Sequence, residues 1–438
     1  MSTDRLAILG GQPVRQRAWP KWPRISPETE RAVLRTLHSG RWTISGAYAG
    51  ETSAEQRFAK AYAQYHDVPY CTPTTSGTGA LTASMLALGV GPGDEVLVPG
   101  LTWVACASSV LAVGAVPVIV DIEEHSLAMC PQAAKAAITD RTKAMMVVHP
   151  FCTVAAIDDF VELSKSTGIP WIEDCAQAHG TAWKGQRVGT FGDVGCFSMQ
   201  QSKLLTSGEG GAVLTRSREL FERLEQLRCD GRMFSPDVAR EGRLEFIEVG
   251  SVQGRSLTMT EMQATLLFEG LKYMDEENAH RAARARTLDS MLDAVPGVQM
   301  LQTRPEVTAR SFYNVVMRID PEQFAGQPIG MVARALADEL DTNVNPVYRP
   351  MNRHPLYQPL KAPRGNLSDE EWLRRDSSRF ETPVAEKIHA TCLTLTHPVL
   401  LDDDEGMQDI AKAFAKVQAH AADLANVVLD EATLRQSF

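Results

Sequence analysis

One lysine stands in a run of small, polar and glycine residues, Phe197-Ser198-Met199-Gln200-Gln201-Ser202-Lys203-Leu204-Leu205-Thr206-Ser207-Gly208-Glu209-Gly210-Gly211. Such a loop gives a lysine little to pack against. Upstream, an apolar run ends on a carboxylate, Trp171-Ile172-Glu173-Asp174-Cys175-Ala176-Gln177-Ala178-His179-Gly180. The pair suits an aldehyde cofactor. Lys203 would hold it as a Schiff base, and Asp174 would keep a pyridine nitrogen protonated, so that the ring draws electrons from the substrate. That is the protein's usual contribution to pyridoxal phosphate chemistry. The charge-assisted hydrogen bond contributes about 1.5–3 kcal/mol. Schiff bases form from neutral amines, which desolvation favours; Phe197, Leu204 and Leu205 are the apolar neighbours at hand. Taken singly, each residue has an ordinary reading: a solvated lysine, and an aspartate capping a turn.

A phosphate needs donors. Thr75-Ser76-Gly77-Thr78 follows a short strand and precedes a helix, where backbone N–H groups and hydroxyls make an anion site. Alone it reads as a helix cap. Ser198 offers a second hydroxyl. Trp103, after Pro99-Gly100-Leu101-Thr102, is placed either to stack on a cofactor ring or to fill a core.

Other chemistries are missing from the chain. It contains no GxSxG elbow, no HExxH and no Walker loop. The eight cysteines are scattered without a CxxC pair, so no metal site is predicted, and reduced thiols in a cytoplasmic protein are expected. A net charge of −10 and the lack of a basic block argue against nucleic acid. No apolar run has transmembrane length, and no signal peptide is expected.

These residues must be held by alternating elements. Residues 1–50 read as an arm containing a helix from Ser26 to Ser39. From Ser53 the pattern alternates helix and strand: helices over 53–65, 80–89, 103–113, 131–137 and 158–167, and strands over 70–74, 95–99, 116–121, 143–149 and 170–174. Short apolar strands between helices predict an α/β fold, a mainly parallel sheet covered on both faces. Ligands bind beyond the carboxyl ends of such strands. A strand over 209–214, a helix over 216–228, a long irregular connection over 229–254 and a helical stretch over 260–292 follow. The expected organisation is an arm (1–50), a large cofactor-binding domain (51–295) and a smaller C-terminal α+β domain (296–438) with a helical tail over 404–425.

Together these segments resemble the DegT/DnrJ/EryC1/StrS family of sugar and cyclitol aminotransferases, which have the fold-type I architecture. The resemblance is densest in 74–80, 91–121, 173–180 and 197–211. It implies pyridoxal phosphate as cofactor, with Lys203 as the Schiff-base lysine and proton shuttle and Asp174 on the pyridine nitrogen. It also implies Gln177 on the phenolic side, Trp103 stacked on the ring, and Gly77, Thr78 and Ser198 on the phosphate. It implies a homodimer with active sites at the subunit interface, and Ser256 aligns with the asparagine that reaches the partner's phosphate. The Lys203 segment, Trp19-Pro20-Lys21-Trp22-Pro23 and Arg41-Trp42-Thr43-Ile44-Ser45-Gly46 look closer to enzymes of cyclitol ketones (scyllo-inosose-like) in aminoglycoside pathways, with glutamine or glutamate as donor. The alternatives are an aminohydroxybenzoate-synthase-like dehydratase, a nucleotide-ketosugar aminotransferase, or a weakly active partner subunit. Departures from the family pattern fall at Cys152, Ala156, Ser256 and Asn352.

Overall fold

Seven short strands form the central sheet of the computed structural model, which describes residues 5–48, 50–235, 240–357 and 368–427. They are β1 (Tyr70–Thr74), β2 (Glu95–Pro99), β3 (Val116–Val120), β4 (Thr142–Val148), β5 (Trp171–Asp174), β6 (Val194–Ser198) and β7 (Gly211–Thr215), ordered β1-β7-β6-β5-β4-β2-β3. Pairings from β3 through β6 are parallel, while β7 runs antiparallel to β6 and β1. The mainly parallel sheet is as the sequence predicts. Its strands are buried on both faces because helices cover both. Phe58, Phe160 and Leu267 pack from one side, and Ala80, Val110 and Leu224 from the other. The carboxyl ends of β1, β2, β4, β5 and β6 open along one edge, where β7 begins.

The elements differ from expectation in detail. The helix predicted over 80–89 starts earlier, as Gly77–Ala87. The stretch 260–292 is two helices, Glu261–Leu271 and Met274–Leu292, broken at Lys272-Tyr273. The connection 229–254 is not wholly irregular: Arg232–Phe234 pairs with Phe246–Glu248, and residues 236–239 lie outside the described ones. The tail is a helix over Asp404–Ala419 with a 3-10 turn, Ala421–Asn426.

A second sheet of β8 (Val298–Met300), β9 (Asn314–Ile319), β10 (Val344–Pro346) and β11 (Cys392–Thr396) is antiparallel, ordered β8-β9-β11-β10. It shares a core with helices Ile329–Leu340 and Asp404–Ala419. The N-terminal segment is tied to this part: buried Arg15 pairs with Asp402 at 2.6 Å and Asp409 at 2.9 Å. No described helix is long and apolar enough to cross a membrane.

Candidate active site

Asp174 is the last residue of β5, and the turn after it fixes its carboxylate. Its Oδ1 accepts the Ala176 N–H at 3.0 Å, so the local turn foreseen from the sequence is present. Among the described residues its Oδ2 accepts only the Cys106 thiol, at 3.2 Å. Burial, with the Asp174 charge beside it, holds that thiol well above its ordinary pKa, so Cys106 stays a donor. A thiol is a weak donor, and Oδ2 keeps lone pairs for another.

The neighbouring Glu173 belongs to the scaffold. It accepts N–H groups from Gly189, Phe191 and Gly192 at 2.7–2.8 Å and faces His149 Nε2 at 3.1 Å. His149 Nδ1 accepts the Ala155 N–H at 3.2 Å, so its proton sits on Nε2. His149, Glu173 and Cys175 lie close enough to share an ion, but these hydrogen bonds already engage the ring nitrogens of His149 and both carboxylate oxygens of Glu173.

The phosphate cradle forms where β1 meets β6. Ser76 Oγ caps the helix Gly77–Ala87 by accepting the Gly79 N–H at 3.0 Å. The N–H groups of Gly77 and Thr78 precede the helical ladder and stay available to an anion. Gly77 touches the end of β6: a Cβ there would lie 2.6 Å from Ser198 Cβ. The Ser198 carbonyl accepts His179 Nε2 at 2.9 Å, and His179 Nδ1 accepts from Tyr62 Oη at 3.1 Å. Burial pushes the His179 pKa down to about 4, against the pull of the Ser198 carbonyl.

The Lys203 loop joins antiparallel β6 and β7, pinned by Met199 N–H to Gly210 O and Gln201 N–H to Gly208 O, both 2.8 Å. The lysine is 8 % exposed, with Nζ 4.0 Å from the Tyr313 ring centroid. The expected apolar neighbours are only partly right. Phe197 lines the same cavity, whereas Leu204 and Leu205 line another on the far side of the loop. Tyr313 is what shields Lys203. Burial raises its phenol, but the Lys203 charge and hydrogen bonds with Ser202, Lys203 and Tyr348 outweigh that, and its pKa sits below the usual value.

Gln177 is held at both ends, with Oε1 accepting the Phe151 N–H at 2.7 Å and Nε2 donating to Tyr348 Oη at 3.2 Å. Phe151 itself has φ 56°. The left-handed residue of that turn is therefore Phe151, and Cys152, where the family pattern has glycine, needs no positive φ. Trp103 is half exposed, its ring centroid 5.9 Å from that of Tyr348.

Lys203, Asp174, Gln177, Trp103, Gly77, Thr78 and Ser198 all line one cavity of about 530 Å³. Ser256 does not. It is exposed, bridged through its backbone to Cys229. Asn352 is also elsewhere, buried and donating to Phe380 O and Glu386. Arg228 lies in a buried ion pair with Glu55 and Glu225 and does not face the site. Sequence reasoning missed Cys106, Tyr313, Asn314, Asn345, Thr394 and Thr396. Only Tyr348 had a signal, in Tyr348-Arg349-Pro350-Met351-Asn352. The group fits pyridoxal phosphate: amine, acid and anion cradle share one cavity, and Asp174 Oδ2 has room for a ring N–H.

The sequence profile of the DegT/DnrJ/EryC1/StrS aminotransferase family matches residues 23–414. The L-glutamine:2-deoxy-scyllo-inosose aminotransferase of Streptomyces fradiae is 45% identical over 420 residues, 96% of this chain and 99% of that one. The L-glutamine:scyllo-inosose aminotransferase of Streptomyces griseus is 41% identical over 413 residues, 94% and 97% of the two chains. Among solved structures, 3-amino-5-hydroxybenzoic acid synthase superposes with a TM-score of 0.77 at 28% identity, covering 93% of this chain and all of that one. An aminotransferase of Psychrobacter cryohalolentis gives 0.78 at 26%, covering 92% of this chain and all of that one.

Proposed function

The chain belongs to the DegT/DnrJ/EryC1/StrS aminotransferase family, and on that premise we propose that it moves the amino group of L-glutamine or L-glutamate to a cyclitol ketone of the scyllo-inosose type. It is a pyridoxal-phosphate-dependent aminotransferase. The observation that carries the site reading is the convergence of Lys203, Asp174 and the Gly77–Thr78–Ser198 cradle on one cavity. When bound, the cofactor supplies the electron sink and carries the amino group between the two substrates.

The chain's own residues do the rest. Gly77 and Thr78 N–H groups and the Ser198 hydroxyl hold the phosphate. Asp174, its Oδ1 fixed by Ala176, presents Oδ2 to the ring nitrogen and keeps the proton there. Trp103 covers a ring face. Gln177 orients the phenolic side. The Lys203 amine takes a proton from the donor's α-carbon and returns one to the acceptor's former carbonyl carbon. Ser256, exposed and outside its own cavity, serves a partner's phosphate in a cytoplasmic homodimer. The described residues within 51–295 belong to the large domain, and those within 296–438 to the small one.

Product formation tests the acceptor. Given L-glutamine and 2-deoxy-scyllo-inosose, the loaded enzyme should release the amino-cyclitol. If L-glutamine converts the cofactor to its amine form but neither this ketone nor scyllo-inosose is aminated, the acceptor assignment is wrong. Loss of water from a substrate without net amino transfer would favour the dehydratase reading.

A further inference from the structure

The wall facing Lys203 is a patch of neutral hydrogen-bonding groups on the second sheet. Register places Asn314 of β9 opposite Thr396 of β11, and Asn345 of β10 opposite Thr394 of β11. Side chains alternate along strands, so Thr394 and Thr396 share one face, and directly opposed residues join them there. The other face is apolar and buried: Val315, Leu393 and Leu395 belong to the core. All four polar side chains line the active-site cavity. Asn314 is only 9 % exposed, yet among the described residues neither its carboxamide nor that of Asn345 has a hydrogen-bond partner. Thr394 Oγ1 donates to the Asn345 carbonyl at 3.3 Å, which leaves its lone pairs free to accept. None of these four side chains has a buried polar atom left without a partner, so their hydrogen-bonding groups stay open to the cavity, and a ligand that displaces water from them must replace its hydrogen bonds.

Its chemistry defines that ligand. A carboxamide offers donors and an acceptor side by side and matches adjacent hydroxyls of a polyol. Among the described residues the one anion cradle of this cavity, Gly77, Thr78 and Ser198, is assigned to the cofactor's phosphate, so the diphosphate of a nucleotide-linked sugar would need further donors or cations of its own. Among the described residues lining the cavity, Lys203 is the one basic side chain, while Asp174 and Glu209 are acidic. We infer that Asn314, Asn345, Thr394 and Thr396 read the ring hydroxyls of the acceptor and select an uncharged polyhydroxylated ring over a nucleotide-linked sugar. This rests on the aminotransferase reading above and adds the residues that choose its acceptor.

The test uses the loaded full-length enzyme and Asn345→Leu and Thr396→Val, both at half-buried positions, beside Asn314→Leu. The two half-reactions are followed separately through the cofactor's absorbance, and scyllo-inositol, a polyol without a carbonyl, is titrated by calorimetry. Each variant should lose about 10-fold in kcat/KM for the cyclitol ketone, with the L-glutamine half-reaction within about 3-fold of wild type. Scyllo-inositol affinity should fall in step, and a nucleoside diphosphate should not compete. Unchanged ketone kinetics in the variants, or equal losses in both half-reactions, would overturn the inference. So would failure of the wild type to bind scyllo-inositol. A wild type that binds scyllo-inositol through these residues but aminates no cyclitol ketone would instead sink the proposed function and uphold the patch.

Discussion

Gly77→Ala probes the seam on which the phosphate cradle depends. The new methyl would lie 2.6 Å from Ser198 Cβ, 3.1 Å from its Oγ and 3.2 Å from its Cα. Ordinary carbon contacts begin near 3.5 Å, so the Cβ pair is short by about 1 Å. Overpacking of this kind costs about 1–3 kcal/mol. Helix propensity works the other way, since alanine is better than glycine by about 1 kcal/mol, and Gly77 has no positive φ to forbid it. The net should be a loss of up to about 2 kcal/mol. Because relief comes from pushing Ser198 away, its hydroxyl leaves the cradle, and cofactor affinity should weaken by about 10-fold, one charge-assisted hydrogen bond. Unfolding midpoints of the apoprotein and a pyridoxal phosphate titration measure both. Adding Ser198→Gly removes the opposing Cβ, so the double variant should recover stability, with a coupling of about 1–3 kcal/mol. A Gly77→Ala protein that is more stable than wild type and binds the cofactor unchanged would refute the seam.

Two further outcomes follow from buried charge. Arg228 contacts Glu55 Oε1 and Glu225 Oε2, both at 2.7 Å, and all three side chains are at most 5 % exposed. Arg228→Met should cost about 3–5 kcal/mol by leaving two carboxylates buried without their cation, and adding Glu55→Gln and Glu225→Gln should return most of it in chemical denaturation. Burial lowers the pKa of His66 to about 3 and of His179 to about 4, from 6.5. Both rings are neutral when folded and bind protons on unfolding, so their contribution is complete above pH 6.5 and is lost as pH falls from there to about 4 for His179 and about 3 for His66. At about 1.4 kcal/mol per unit this amounts to several kcal/mol. Thermal midpoints across that range should fall with acid, and a flat profile would contradict it.

The parts of the site written as local strings were legible. Asp174 ends β5, Thr75-Ser76-Gly77-Thr78 follows β1 and Lys203 lies in the loop beyond β6, and the region beyond strand ends is where ligands bind in such sheets. Short apolar strands between helices announced the parallel sheet, but not that β7 reverses, because an all-apolar strand carries no mark of direction. The break at Lys272-Tyr273 has a glycine two residues upstream, Gly270, but it stands inside the first helix, and an isolated glycine in a helical pattern does not by itself mark a stop. Tyr313, Asn314, Asn345 and Thr394 were invisible for a different reason. Each is an ordinary strand or loop residue in its own neighbourhood and gains meaning only when the second sheet packs across the cavity. Leu204 and Leu205 misled because the loop turns both of them to the side opposite Lys203.

The account stands on Lys203, and Lys203→Ala tests it most directly. The variant should fold and bind pyridoxal phosphate, because Gly77, Thr78, Ser198 and Asp174 remain. Multiple-turnover transfer from L-glutamine to 2-deoxy-scyllo-inosose, measured as amino-cyclitol formed, should fall by about 10³-fold or more for want of the proton shuttle. A folded, cofactor-loaded variant that transfers the amino group at a rate near wild type would contradict the account.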